Sequence, residues 1–249
     1  MASIFALLIF LLSLAGCSDN RKEKRALVEA NPLSAGFYHI EIVGDNGLAL
    51  LTYETDVINI NDQTQWDGLA TVGAYNMAFQ QECHSVYSPT VKAKLWRGLW
   101  VQSTATSPKE QLQVWLQACL KKDSQYQSKE VPAASVLPLE EGDTRRVVSI
   151  HIPKADMSWD SLCDVHIDTF FGTQAYLTDI KTGSVTLYFD VATHALIGVV
   201  FTAENGQTKI SGIITVSTAE GHTLREFPDP TTLTEGTLYE EWNFPETIE

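Results

Sequence analysis

The residues whose types and spacing invite chemistry in this chain are few, and the densest group is Cys163-Asp164-Val165-His166-Ile167-Asp168. On a strand, Asp164, His166 and Asp168 project from one face and could share a metal. On a helix, Asp164 and Asp168 line up and His166 points away. Zinc asks for about four ligands with hydrogen bonds behind them, and Cys83-His84 completes such a set only if the fold brings it near. A polar helix face or loop accounts for the cluster better, so no metal is assigned. A Cys–His nucleophile can be written from Cys163 with His84 or His151, but any chain with free Cys and several His allows that. The sequence holds no Gly-x-Ser-x-Gly and no His-Glu-x-x-His, and no Gly-rich phosphate loop leads from a strand into a helix. Nothing places two carboxylates around a cleft, as a glycosidase needs. The chain reads as a non-enzyme without a cofactor, with a hydrolase as the least favoured alternative.

The most informative chemistry is at the N-terminus. Residues 4–12 are almost wholly apolar and lead into Ser13-Leu14-Ala15-Gly16-Cys17. The run is shorter than the roughly 20 apolar residues of a membrane helix. It has the length of a secretory signal's apolar region and ends in small residues, as a cleavage site does. Leu14 to Cys17 resembles the lipobox of bacterial lipoproteins. The resemblance implies cleavage before Cys17, acylation of Cys17, and anchorage of an extracytoplasmic protein to the cell or outer membrane through N-terminal acyl chains. Two or more chains anchor stably where one is marginal. Cys83, Cys119 and Cys163 then remain. Outside the cytoplasm, one disulfide and one free thiol is the natural arithmetic, with the pairing open. Three buried free thiols packing as small hydrophobes is the competing account.

Composition narrows the function classes. The chain has 249 residues, 44% of them hydrophobic, so a real core can form. Its net charge of -14 argues against a general nucleic-acid binder. The Arg21–Arg25 cluster reads as a solvated linker. The expected organisation is a signal peptide over 1–16, a lipidated cysteine and flexible tether over 17–34, a single α+β domain over 35–230, and an acidic tail over 231–249. In that tail Tyr239, Trp242 and Phe244 suggest partial docking.

Alternation predicts strands over residues 37–43, 48–60, 69–79 and 91–102, with a turn at Asp45-Asn46-Gly47 and a break in the pattern at Asn61-Asp62-Gln63. Ser107-Pro108-Lys109-Glu110 has the chemistry of a helix start. Leu112, Trp115, Leu116, Cys119 and Leu120 then recur at helical spacing. Residues 122–143 read as a long polar loop dividing two halves. A strand over 147–152 follows, and then a second helix over 156–171, where Val165 and Ile167 also fit a strand. Val185, Leu187 and Phe189 share a face, as do Ile197, Val199 and Phe201, and Ile210, Ile214 and Val216. Trp96 and Trp100 fall in phase with Lys92 and Lys94 on one side of a strand. They form either a binding surface or, more simply, a face covered by a helix.

The segment from Val185 to Pro228 resembles the C-terminal meander of LolA-like and LppX/LprG-like envelope lipoproteins. There a strand ends at an Asp, a tight turn carries Thr and Leu, two strands follow, and the sheet stops at a Pro. The matching positions are Asp190, Thr193, Leu196 and Pro228. The resemblance implies an α+β fold, a strongly curved and mostly antiparallel half-barrel sheet with about two helices packed on one side, and a cavity for acyl chains or other hydrophobic cargo. Leu187, Phe189, Val199 and Phe201, with Trp96 and Trp100, are the candidate lining residues. The expected partners are the membrane and a hydrophobic small molecule or lipid, with no nucleic acid. A structural or protein-interaction lipoprotein with a filled core is the alternative.

Overall fold

The computed structural model describes residues 23–24, 26–27, 36–45, 47, 49–74, 77–96, 99–102, 124–140, 142–156 and 182–234. Period-two alternation, rich in β-branched and aromatic residues, runs through nearly all of them. The result is eleven strands. The first six are β1 (Gly36–Asp45), β2 (Ala49–Ile60), β3 (Gln63–Ala74), β4 (Met77–Tyr87), β5 (Lys92–Trp96) and β6 (Leu99–Gln102). The last five are β7 (Gln125–Pro132), β8 (Arg146–Asp156), β9 (Thr182–Asp190), β10 (Leu196–Asn205) and β11 (Thr208–Ser217). They make one sheet in the order β6-β5-β4-β3-β2-β1-β11-β10-β9-β8-β7. One meander walks outward from β1, a second walks inward from β7, and they join along an antiparallel seam from Phe37↔Ser217 to Asp45↔Lys209. The sheet is curved and not closed.

This overturns the α+β expectation. Among the described residues the body is antiparallel sheet, with no helix of seven or more residues. The helix expected over 107–120 lies outside the described residues. So does the one expected over 156–171, except Asp156, which ends β8. Glu23, Lys24, Ala26 and Leu27 are helical, and Leu27 is buried in the main core.

Local chemistry explains the turns. Asn61 and Asp62 both take positive φ between the paired ends Ile60 and Gln63, the geometry of a two-residue hairpin turn whose twist suits the strands. The Asp45 carboxylate accepts from the Gly47 backbone N–H at 2.7 Å. Asp190 accepts from the Thr193 N–H at 2.7 Å and from its hydroxyl at 2.8 Å, which folds the β9–β10 connection.

Four strand assignments are corrected. The segment expected as a strand over 69–79 is the far half of β3 and the start of β4, joined as a hairpin with Ala74 opposite Met77. The segment over 91–102 is also a hairpin, with Leu95 opposite Trp100 and Trp96 opposite Leu99. The polar stretch expected as a loop contains β7, which reads as polar because it is an exposed edge strand. Finally, a bulge between Leu196 and Gly198 shifts the phase of β10. Ile197 therefore packs with Ala133, Leu137 and Val147, while Val199 and Phe201 join the main core on the other face.

Beyond β11 the chain straps across the first meander. His222 stacks on Phe37 with ring centroids 3.9 Å apart. The Arg225 N–H donates to Gln65 Oε1 at 2.6 Å, and its guanidinium pairs with Asp67. Phe227 and Leu233 pack on Val86, Val91 and Ala93. Thr234 then bonds along the edge of β6, exchanging backbone hydrogen bonds with Trp100 and Gln102 at 3.0 and 3.1 Å. An edge that would otherwise present unpaired backbone groups is partly covered in this way.

Candidate functional site

The two faces of the sheet differ in chemistry, and the register shows how. On the inner side of the curve, side chains from both meanders gather into one core cluster. One cross-strand row reads Ile150, Leu187, Val199, Ile214 and Ile40, from β8 to β1, and continues as Thr55 and Gly68 on β2 and β3. The neighbouring row reads Tyr38, Val57, Trp66, Ser85, Lys94 and Val101, from β1 to β6. The face is thus unbroken hydrocarbon under β8–β11 and β1, and mixed under β2–β6. Each fully buried aliphatic or aromatic residue here stabilises the fold by about 1.5–3 kcal/mol.

The candidate lining residues Leu187, Phe189, Val199 and Phe201 all stand on this inner face, each no more than 1% exposed. Phe201 lies over Gly212 of β11, where any side chain would occupy the space of its ring. Residues 96 and 100 lie on the two arms of a hairpin, in which Leu95 pairs with Trp100 and Trp96 with Leu99. Trp100 packs on the outer side, against Val86, Val91 and Ala93 beside Phe227 and Leu233. It is therefore the C-terminal strap that covers it.

Sequence reasoning missed a buried polar group on the inner face. Thr55, Asn59, Thr64, Ser85 and Lys94 are all buried there. The Thr55 hydroxyl donates to the Asp67 carbonyl at 2.8 Å, and the Thr64 hydroxyl to Asn59 Oδ1 at 3.4 Å. Trp66 Nε1 donates to the Tyr53 hydroxyl at 2.8 Å. Asn59, Ser85 and Lys94 are also engaged within the chain, as buried polar groups must be. The alternation of Tyr53, Thr55, Val57 and Asn59 carried this signal. Burial pushes the Tyr38 hydroxyl well above its ordinary range. At the far end of the hydrocarbon rows the Tyr126 hydroxyl is pushed up to about 12, first by burial and then by Glu23 and Glu130.

The outer face carries the ionisable groups. His39, Asp56, Asp67 and His84 stand in one cross-strand row from β1 to β4. His39 bonds Asp56 at 2.7 Å and Glu41 at 3.0 Å. Burial opposes its charge, but those two carboxylates outweigh it and leave its pKa raised. His84 bonds Asp67 at 2.7 Å and Glu82 at 3.4 Å. Both nitrogens of each ring face carboxylates, so neither imidazole is poised to activate a hydroxyl or thiol nucleophile. Among the described residues no group of three or more His, Cys, Asp or Glu is placed to hold a metal. Cys83 and His84 are consecutive on β4. The cluster 163–168, Cys119 and the acylation candidate Cys17 lie outside the described residues. At one end of the strands, an open groove of about 750 Å³ is lined by Asp45, Lys154, Ser184, Thr202, Glu204 and Lys209, among others. It holds none of the candidate lining residues.

No protein-family profile matches the chain, and no curated protein is similar to it in sequence. Among solved structures it is similar to LprF from Mycobacterium bovis at 14% identity and a TM-score of 0.45, over 86% of this chain and 97% of that one. It is also similar to a β-barrel-like protein of the DUF1849 domain from Brucella abortus, at 10% identity and a TM-score of 0.26 over 74% and 96% of the two chains. A DUF1329 family protein from Desulfovibrio piger matches at 10% identity and a TM-score of 0.25, over 83% and 94%.

Proposed function

We propose that this chain is a lipid-anchored, extracytoplasmic lipoprotein that holds a hydrophobic ligand against the inner face of its curved sheet and performs no chemistry on it. The observation that carries the reading is the unbroken hydrocarbon of that face across β8–β11 and β1, presented by a single sheet that does not close. Sites for apolar small molecules are concave, mostly hydrocarbon, and carry a few placed polar groups. The lipobox-like Leu14-Ala15-Gly16-Cys17 supports the location.

Two measurements on the full chain, produced in a bacterial host, test this. The intact mass of the mature protein is expected to show an N-terminus at Cys17 carrying acyl chains. An unmodified chain beginning at Met1 contradicts the anchor. Native mass spectrometry from detergent is expected to show a further mass that leaves on denaturation and is recovered as lipid in the organic extract. A bare mass before and after incubation with lipid vesicles contradicts the ligand and favours an interaction lipoprotein with a filled core.

A further inference from the structure

We propose that residues 23–27 are a foot that fastens the acylated N-terminus to the β7 edge, so that this edge rests on the headgroup surface of the bilayer. The proposal rests on acylation of Cys17, and adds which part of the molecule meets the membrane.

Three contacts place the foot. Glu23, Lys24, Ala26 and Leu27 are helical, and helical residues four apart share a face. On that face Leu27 is 3% exposed within the main core cluster. Four residues before it, the Glu23 carboxylate accepts from the Tyr126 hydroxyl. Tyr126 lies on β7 opposite Ile150 and packs on the same cluster. Lys24 Nζ donates to the Ser124 carbonyl at 3.5 Å, just before β7 begins. A buried aliphatic side chain and two polar contacts thus fix the segment at this strand.

Chain length then places the membrane. Only residues 18–22 separate Cys17 from Glu23, and each peptide step spans at most about 3.6 Å. Acyl chains on Cys17 therefore enter the bilayer within about 22 Å of the foot. A link that ran unattached to Gly36, the start of β1, would reach about 68 Å and favour no edge. The surface here suits headgroups. β7 ends the strand order, and Gln125, Gln127, Ser128, Lys129 and Glu130 are exposed on it. A polar strand at a sheet edge lies on a bilayer and does not enter its hydrocarbon. The chain as a whole carries -14, so anionic lipid repels most of it. The sequence sets Arg21, Lys22 and Arg25 in or beside the foot, where anionic headgroups attract them.

The test uses the full lipoprotein in vesicles of phosphatidylethanolamine and phosphatidylglycerol that carry a dye on their headgroups. A fluorescent amino acid in place of Ser128 is the energy donor. A flexible insert of about twelve Gly and Ser residues between Ser18 and Asp19 lengthens the link by about 17–21 Å, and energy transfer is expected to fall. The same insert between Ala30 and Asn31 lies beyond the foot and only enlarges a loop, at small cost, so transfer is expected to stay unchanged. Equal falls for both inserts, or no change for either, overturn the foot. In detergent, without a bilayer, a photoreactive amino acid in place of Lys24 is expected to crosslink to the peptide that holds Ser124. Crosslinks only elsewhere, or none, overturn the foot and leave the anchorage intact. Wild-type protein that does not float with the vesicles overturns the anchorage and the foot's role together.

Discussion

Replacing Gly212 with alanine probes the packing of the inner face at its centre. Gly212 sits in mid-β11, between Ile42 of β1 and Phe201 of β10. A methyl group there would overlap the Phe201 ring, 2.7 Å from Cε1, and stand 2.8 Å from the Glu41 carbonyl oxygen. The ring is 1% exposed, and the carbonyl belongs to the β1–β11 seam. Overpacking of this kind costs about 1–3 kcal/mol. Alanine's smaller loss of backbone entropy returns about 0.5–1 kcal/mol. A net loss of about 1 kcal/mol is expected, which for a chain of this size lowers Tm by about 2–4 °C. Phe201→Leu removes the clashing carbons and by itself costs about 1 kcal/mol through the cavity it leaves. Thermal unfolding of wild type, both single variants and the double variant forms a cycle. The double variant is expected to be at least about 1 kcal/mol more stable than the sum of the single losses. The reasoning fails if Gly212→Ala melts at or above the wild-type temperature, or if the two losses simply add.

Other positions give expectations of different kinds. The pKa of His39 is raised in the folded state. Its stabilising contribution is therefore complete below the unfolded value of about 6.5 and is lost as pH rises through the folded one. The Tm gap between wild type and His39→Gln should shrink from pH 5 to pH 9, and a gap that widens refutes the sign. Asp67 ties Arg225, His84 and Gln65 together. Asp67→Ala should cost about 1–3 kcal/mol and raise hydrogen exchange in 222–234 and β6 while β9 and β10 stay protected; uniform exchange across both meanders would refute the strap. Leu137 is 4% exposed and covers Gly198 on the outer face, where a side chain would overlap it. Leu137→Ala should lower stability by about 2–4 kcal/mol in urea unfolding without changing ligand binding, since it lies across the sheet from the inner face; a loss of binding at unchanged stability contradicts that placement.

Much of the strand pattern was legible because it is local. Tyr38, Ile40 and Ile42 alternate, as do Val185, Leu187 and Phe189, and each set does line the inner face. The turns at Asp45–Gly47 and Asp190–Thr193 followed from residues that bond the backbone or tolerate positive φ. Reading failed where one residue changes the phase. The bulge after Leu196 moved Ile197 to the outer face. The segment read as one strand over 91–102 is a hairpin, with Leu95 opposite Trp100. The segment around β7 looked like a loop because an exposed edge strand needs no apolar side chains. The buried Lys94 was seen only as one of two lysines in phase. Its burial depends on Ser85 and Val101 beside it, residues far from it in the chain's local pattern but adjacent in the sheet.

The sequence by itself determined the period of most strands, the chemistry of their turns, the acidic character of the body, and the lipobox-like segment that precedes it, because each depends on neighbours a few residues apart. The tertiary structure decided the rest. It runs the second meander inward from the opposite edge and seams β11 to β1. That joins the hydrocarbon of β8–β11 to Ile40 and sets the polar positions of β2–β5 beyond it. Backbone hydrogen bonding accepts almost any strand as a neighbour. The order of strands, and with it the amphipathic inner face, emerges only when both meanders bury their apolar sides in one core.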